Sequence, residues 1–168
     1  MNDKAHGRSP LARLLAGTIA IAILAAIAYW TVTRNISALP EPGPFETRIF
    51  TGVRNWYIHK AAIHSNSKAP ASDAVEILAG QGLFSMACAS CHGSDGRSPT
   101  NAGKSMYPRC PDLGSPEVQR LSNPELFWVI KNGVRFSGMP GFGNILSDDQ
   151  IWQATYYVRS LGTGAKKK

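Results

Sequence analysis

The chain has 168 residues and a formal net charge of +7, with 43% hydrophobic and 17% charged residues. This length suits one compact domain with appendages, and the composition is that of a globular protein rather than a disordered one. The positive charge lies at the two ends of the chain, because residues 72–162 hold seven basic and eight acidic side chains. We therefore expect no nucleic-acid partner. Three cysteines, two of them in one short motif, also exclude a disulfide framework.

The first predicted element is a membrane-spanning helix. Twenty consecutive uncharged residues, Leu14 to Thr33, form a helix of ~30 Å, the thickness of the hydrocarbon core of a bilayer. Three basic residues precede this stretch and Arg34 follows it, so the positive-inside rule places the N-terminus in the cytoplasm. A cleaved signal peptide is the competing interpretation, but the apolar stretch is long and Ile36-Ser37-Ala38 is a poor cleavage site. We expect residues 1–34 to be a single-pass anchor in the cytoplasmic (inner) membrane, with the rest of the chain in the periplasm.

Residues 35–71 are predicted to be a linker, because prolines and small polar residues mark both of its ends. The middle of the linker differs, since Phe45, Ile49, Val53 and Trp56 recur at helical spacing. Two interpretations stay open. The segment is either a solvated spacer with a short helical turn, or an amphipathic helix that docks on a membrane surface or a partner.

Residues 72–162 are predicted to form an all-α domain, followed by a basic tail at 163–168. No strand pattern and no internal repeat is present in the sequence. Three helices are expected from their capping and closing residues: one from Asp73 and Glu76 to the cysteine motif, one from Asn123-Pro124 to Lys131 closed by Asn132-Gly133, and one from Ser147 and Gln150 through Leu161, ended by Gly162.

Cys88-Ala89-Ser90-Cys91-His92 has the C-x-x-C-H pattern of c-type haem attachment. One turn of chain brings two thiols to the vinyl groups of the porphyrin, while the next residue presents its imidazole to the iron. A thioredoxin-like pair needs a β-α-β context, and a zinc site needs a second close ligand pair. Neither context is found in the sequence. The expected cofactor is one covalently bound haem c, and export of the domain agrees with it.

The segment from about Gly80 to Gly162 resembles a bacterial monohaem class I cytochrome c. Gly80 and Phe84 match the first-helix pattern of that family, in which the glycine permits close crossing by the last helix and meets an aromatic, here Tyr156 or Tyr157. Pro111-Asp112-Leu113 resembles its Pro-x-Leu turn. The resemblance implies the class I cytochrome c fold, with three main helices around one haem. It also implies that the Pro111 carbonyl accepts a hydrogen bond from His92 and that Leu113 packs on the haem.

The resemblance places the second axial ligand in the loop Gly138-Met139-Pro140-Gly141. Met139 is therefore expected to bind the iron opposite His92, in the His/Met pattern of cytochromes c. The alternatives are less favourable. Met86 lies two residues before the cysteine pair, Met106 lies early in a loop, and the linker histidines His59 and His64 reach the iron only if the linker folds back.

Four further residues, Tyr107, Arg109, Trp128 and Arg135, are candidates to bond or neutralise the haem propionates. Cys110 is left over from the motif, and either remains a free thiol or forms an intermolecular disulfide.

The predicted function is single-electron transfer, by a tethered carrier or by a fixed subunit of a respiratory or photosynthetic complex. The expected partners are other redox proteins or membrane complex subunits. A haem enzyme or gas sensor with a displaceable axial ligand is the alternative, and a permanent bond from Met139 excludes it.

Overall fold

The computed structural model describes residues 9–34, 40–64 and 68–163, without the side chains of Val32, Arg34 and Thr163. The predicted basic start, the Ile36-Ser37-Ala38 tripeptide, the polar run at 65–67 and most of the basic tail lie outside the described residues. The chain divides into two compact units, residues 1–37 and residues 38–168. Every described element is helical, as the all-α prediction requires.

The first unit holds helix α1, Pro10–Arg34. Its segment Pro10–Thr31 is long and apolar enough to cross a bilayer, with a mean hydropathy of 2.2. Threonine hydroxyls on the helix donate to backbone carbonyls of the preceding turn, Thr18 to Leu15 at 2.9 Å and Thr31 to Ala28 at 2.9 Å. These bonds satisfy the hydroxyl groups within the helix itself.

The second unit contains seven helices within its described residues: α2 (Pro44–Ile63), α3 (Ala74–Ala87), α4 (Ala89–His92), α5 (Asn101–Lys104), α6 (Pro116–Gln119), α7 (Asn123–Asn132) and α8 (Asp148–Thr163). α3, α7 and α8 are the three main helices of the predicted fold, which the structure confirms. The four-residue helices connect them and had no signal strong enough for a prediction.

The helix starts follow the capping residues, with one difference. Asp73 accepts a hydrogen bond from the Glu76 amide at 2.9 Å, and Ser147 and Gln150 exchange bonds at the start of α8. α7, however, is capped by Ser122 in a capping box with Glu125, one residue earlier than the predicted Asn123. Ser122 precedes Glu125 by three residues, so the capping-box pattern was present in the sequence.

Gly162 lies inside the last turn of α8 rather than after it. A Cβ atom at Gly162 would come within 2.5 Å of the Gln119 side chain. The glycine thus leaves room for the Gln119 side chain between α6 and α8, and it does not end the helix.

α3 and α8 cross closely because Gly80 has no side chain. A Cβ atom at that position would lie 2.0 Å from the Gln153 carbonyl oxygen and 3.1 Å from Cβ of Tyr157. The rings of Phe84 and Tyr157 pack with their centroids 5.0 Å apart. Of the two tyrosines expected at this crossing, Tyr157 is the one that contacts Gly80.

Helix α2 packs on α7 through a face that its sequence had not indicated. Ile58 and Ala62 are buried, and the Tyr57 ring meets Trp128 edge-on at 5.8 Å. Polar contacts add to this packing. The Arg54 guanidinium lies 3.2 Å from the Glu117 carboxylate on α6, and His59 Nδ1 lies 3.0 Å from the Glu125 carboxylate on α7. α2 is therefore held by the domain at a defined rotation about its own axis.

Arg159 connects α8 to the segment between α6 and α7. Its guanidinium donates to Asn123 at 2.9 Å and to the Gln119 carbonyl at 2.7 Å, and it also donates to the Leu121 carbonyl. These groups are partly buried, so removal of the donor leaves acceptors without partners.

We expect Arg159→Met to lower the free energy of unfolding by about 2–4 kcal/mol, because hydrogen bonds to a charged donor are among the costlier ones to lose. Arg120→Met is the matched control. Arg120 is exposed, so this change should cost less than about 0.5 kcal/mol. Thermal unfolding of the full chain in mild detergent, followed by circular dichroism, compares the two. Equal stability of both variants would show that the Arg159 bonds contribute nothing.

Candidate haem-binding site

The cysteine motif lies where two helices meet. Cys88 ends α3 and caps α4, and its carbonyl accepts bonds from the Cys91 amide at 3.1 Å and the His92 amide at 3.0 Å. The two cysteines and the histidine thus share one tight turn of chain. No disulfide links Cys88, Cys91 or Cys110. This turn has the arrangement that two thioether bonds and one axial imidazole on the same porphyrin require.

His92 is buried, with 8% of its surface exposed. Burial lowers the pKa of the imidazole, and the nearby Pro111 carbonyl opposes that effect. The buried Nδ1 atom has no hydrogen bond of standard geometry in the structure. The Pro111 carbonyl lies near this atom and is its candidate acceptor, but no hydrogen bond of standard geometry joins the two. A neutral, buried imidazole is the form that binds iron, so His92 fits an axial ligand.

The surroundings of Cys88 disfavour the thiolate form that a zinc site requires. Burial, and secondarily the neighbouring Cys91, raise the pKa of the Cys88 thiol to about 11. Zinc sites use thiolates in sets of about four ligands. Within the described residues, no three His, Cys, Asp or Glu side chains come together as a metal site. The structure therefore gives no support to the zinc interpretation of the motif.

The Pro-x-Leu turn lies beside the motif. Leu113 is buried in an apolar cluster with Phe84 and Val118, against which Cys88 also packs. The Leu113 amide donates to the Gly96 carbonyl at 2.9 Å, which fixes the turn. Leu113 and Cys88 thus line the same apolar surface.

Met139 packs against a second apolar cluster, built from Phe127, Ile130, Ile151, Trp152, Ala154 and Tyr156. Its amide donates to the Ser137 hydroxyl at 3.2 Å, and its carbonyl accepts from the Val134 amide at 3.2 Å. The Met139 and Cys88 side chains therefore contact different clusters. Ile77 is partly buried against both clusters.

Glycines shape the Met139 loop by close backbone approach. Gly133 has a φ of +71°, and a Cβ atom there would lie 2.6 Å from the Gly141 amide nitrogen. A Cβ atom at Gly138 would lie 2.4 Å from the sulfur of Met106. Met106 therefore packs on the same loop as Met139, a contact that the sequence had not revealed.

Cys110 lies near the motif and not in it. Gly103 lies between the two, since a Cβ atom there would lie 2.2 Å from the Cys91 carbonyl oxygen and 3.2 Å from the Cys110 Cβ. The Cys110 sulfur is 3.7 Å from that of Met106. Burial raises the pKa of the Cys110 thiol. The half-buried thiol is thus packed against another sulfur.

Two of the four candidates for the propionates have partners in the segment before α3. The Tyr107 hydroxyl donates to Glu46 at 2.5 Å, and Arg109 lies 2.6 Å from Glu41. Trp128 contacts Tyr57, as described above, and Arg135 is exposed. The two linker histidines also contact protein groups, His59 at Glu125 and His64 at the Lys60 carbonyl.

Comparison with known proteins places these features in a family. Residues 75–158 match the model of the family described as cytochrome c oxidase, cbb3-type, subunit III. A chain of the reducing HAO-like protein complex of Kuenenia stuttgartiensis is similar in structure, with a TM-score of 0.52 and 25% identity over 56% of this chain. The match spans 47% of that chain, about half its length. Cytochrome cL of Methylophaga aminisulfidivorans aligns with 75% of this chain and 71% of its own, at a TM-score of 0.43 and 24% identity. No curated protein sequence matches the chain.

Proposed function

Because the chain belongs to the family of cbb3-type cytochrome c oxidase subunit III and is a class I cytochrome c, we propose that it is a membrane-anchored, periplasmic electron carrier with one covalently bound haem c. Electron transfer is the activity of c-type cytochromes of this family. The observation that carries the proposal is the turn from Cys88 to His92, which presents two thiols and a buried, neutral imidazole together.

We assign thioether attachment to Cys88 and Cys91, and axial ligation to His92 and Met139. When bound, a haem with these ligands exchanges one electron between ferrous and ferric iron. The protein supplies the surroundings. With haem bound, we expect the Pro111 carbonyl to accept a hydrogen bond from His92 Nδ1 and so to orient the imidazole, and Leu113 to form an apolar wall of the site.

We further assign residues 1–34 to a single-pass anchor in the cytoplasmic membrane, 35–71 to a linker, 72–162 to the haem domain and 163–168 to a tail. Arg13 and the earlier basic residues favour a cytoplasmic N-terminus, which leaves the haem domain in the periplasm. Haem c attachment takes place outside the cytoplasm, so this orientation agrees with the motif.

The proposed partners are other redox proteins or subunits of a membrane complex. Two similarities support them: the family name refers to an oxidase subunit, and the structural neighbour from Kuenenia belongs to a multiprotein complex. No residue set for substrate chemistry is needed, because a carrier only has to hold and exchange the electron.

The proposal predicts one haem per chain, attached through two sulfur atoms. Mass spectrometry of the purified full chain, after denaturation and acid extraction of free haem, should show the polypeptide plus one haem. Cys88→Ser and Cys91→Ser should each leave a single thioether or none, and Cys110→Ser should retain the full adduct. A chain without adduct, expressed with a c-type haem attachment system, would contradict the proposal.

A further inference from the structure

We infer that an outward-facing apolar row on α2 lies on the surface of the lipid bilayer. The row consists of Phe45, Ile49, Val53 and Trp56. This inference rests on the proposed membrane anchoring and adds a second membrane contact to it.

The row is unpartnered among the described residues of its unit. Its side chains are between 45% and 77% exposed, whereas Ile58 and Ala62 are buried against the domain. At 3.6 residues per turn the row lies on the opposite side of α2 from these two residues, along about 17 Å of helix. The Arg54–Glu117 ion pair, the His59–Glu125 hydrogen bond and the Tyr57–Trp128 contact hold the inner face, so rotation of α2 to bury the row within its own domain would break all three.

The chemistry of the row suits a membrane surface. Aromatic side chains are favoured at the boundary between headgroups and acyl chains. Arg48 is exposed at one margin of the row, and Lys60 is exposed one turn beyond Trp56 on the same face; neither takes part in an ion pair with a described residue. Cations flanking an apolar row attract anionic headgroups, at about 1 kcal/mol for each cation near the surface.

The chain keeps α2 close to the bilayer. Residues 35–43 separate α1 from α2, and nine residues span at most about 32 Å even when fully extended. The tether makes binding of the row to the bilayer intramolecular. Even a weak affinity of the row for lipid is therefore enough to keep it at the membrane surface. α2 is also fixed to α7, and its contact with lipid would therefore hold the whole haem domain at the membrane instead of on a swinging tether.

Nitroxide labels on the full-length, haem-loaded protein test the inference. The protein carries Cys110→Ser and one new cysteine, and is reconstituted in vesicles of phosphatidylethanolamine and phosphatidylglycerol. Labels are placed at Ile49 in the row, at Ile21 in the anchor and at Asn144, an exposed loop residue of the haem domain. The haem is kept in the ferrous, diamagnetic state. The depth of the deuterium modulation of the electron spin echo then measures how close each label lies to deuterated acyl chains in one sample and to D₂O in another.

We expect acyl-chain modulation at Ile49 to exceed that at Asn144 by at least about threefold, with the reverse order for D₂O. A label at Val53 repeats the measurement in case the first one perturbs the helix. If Ile21 contacts lipid and the row contacts water, the inference is overturned and the anchor stands. If neither contacts lipid, anchoring itself fails. If the row avoids both lipid and water, protein covers it, which also overturns the inference, and dipolar broadening between labels would identify a second copy of the chain.

Discussion

Met139→Ala should lower the reduction potential of the haem-loaded protein by on the order of 0.1 V or more and remove the weak sulfur-to-iron charge-transfer band of the ferric form. A soft thioether favours ferrous iron, so its loss stabilises the ferric state. The loop holds Met139 by its backbone bonds to Ser137 and Val134, so the substitution removes the ligand without removing what shapes the loop. Potentiometry followed by visible spectroscopy measures both effects.

Two other methionines serve as matched controls for this prediction. Met106 is half-buried and packs on the same loop at Gly138, and Met86 is 78% exposed. Met106→Ala and Met86→Ala should both keep the charge-transfer band, with potentials close to that of the unaltered protein. If Met106→Ala loses the band and Met139→Ala keeps it, Met106 is the ligand. If the unaltered protein lacks the band and binds carbon monoxide readily, the enzyme or sensor alternative replaces the electron carrier.

The sequence predicted the helical domain well because its signals were local. Asp73 with Glu76 and Ser147 with Gln150 are capping pairs only three residues apart, and each fixes a helix start without help from the rest of the fold. The cysteine motif is also local, since five consecutive residues carry its geometry. Assignment of His92 as a ligand therefore needed no tertiary information.

The packing of α2 shows what a local pattern cannot provide. Helical spacing of Phe45, Ile49, Val53 and Trp56 indicated an apolar face, and the structure has a helix there. The domain nevertheless takes the other face, through Ile58, Ala62 and contacts with charged side chains. The choice depends on Glu117, Glu125 and Trp128, which lie more than sixty residues away in sequence. No pattern within the helix reports where such partners lie.

Tertiary contacts also shape the candidate site, and a local pattern does not reveal them. The family resemblance predicts Met139 as a ligand, and the structure places Met139 in a loop shaped by glycine contacts that no spacing rule describes. The contact of Met106 with Gly138, and that of Cys110 with Met106, arise from the path of the chain between residues 103 and 111. These contacts need the folded chain, because the segment has no repeating pattern that would orient its side chains.

Gly80→Ala should lower the free energy of unfolding by about 3 kcal/mol or more, and Gly80→Val should prevent stable haem loading altogether. The added Cβ atom would lie 2.0 Å from the Gln153 carbonyl oxygen, which is backbone and cannot move aside as a flexible side chain does. α3 and α8 must then separate, and the Phe84–Tyr157 contact behind the cysteine motif opens with them.

Gly82→Ala is the matched control, since it lies on the same helix with nothing within 4 Å of its added Cβ. Alanine is the better helix former, so this variant should be about 0.5–1 kcal/mol more stable than the unaltered protein. Chemical denaturation and the ratio of bound haem to polypeptide measure both variants. Because the two changes are identical in helix propensity and differ only in what the new methyl group meets, a similar gain in stability at Gly80 would mean that α3 and α8 do not cross at this contact. The predicted opposite signs would show that the crossing, rather than the intrinsic preference of the helix, determines which residue position 80 accepts.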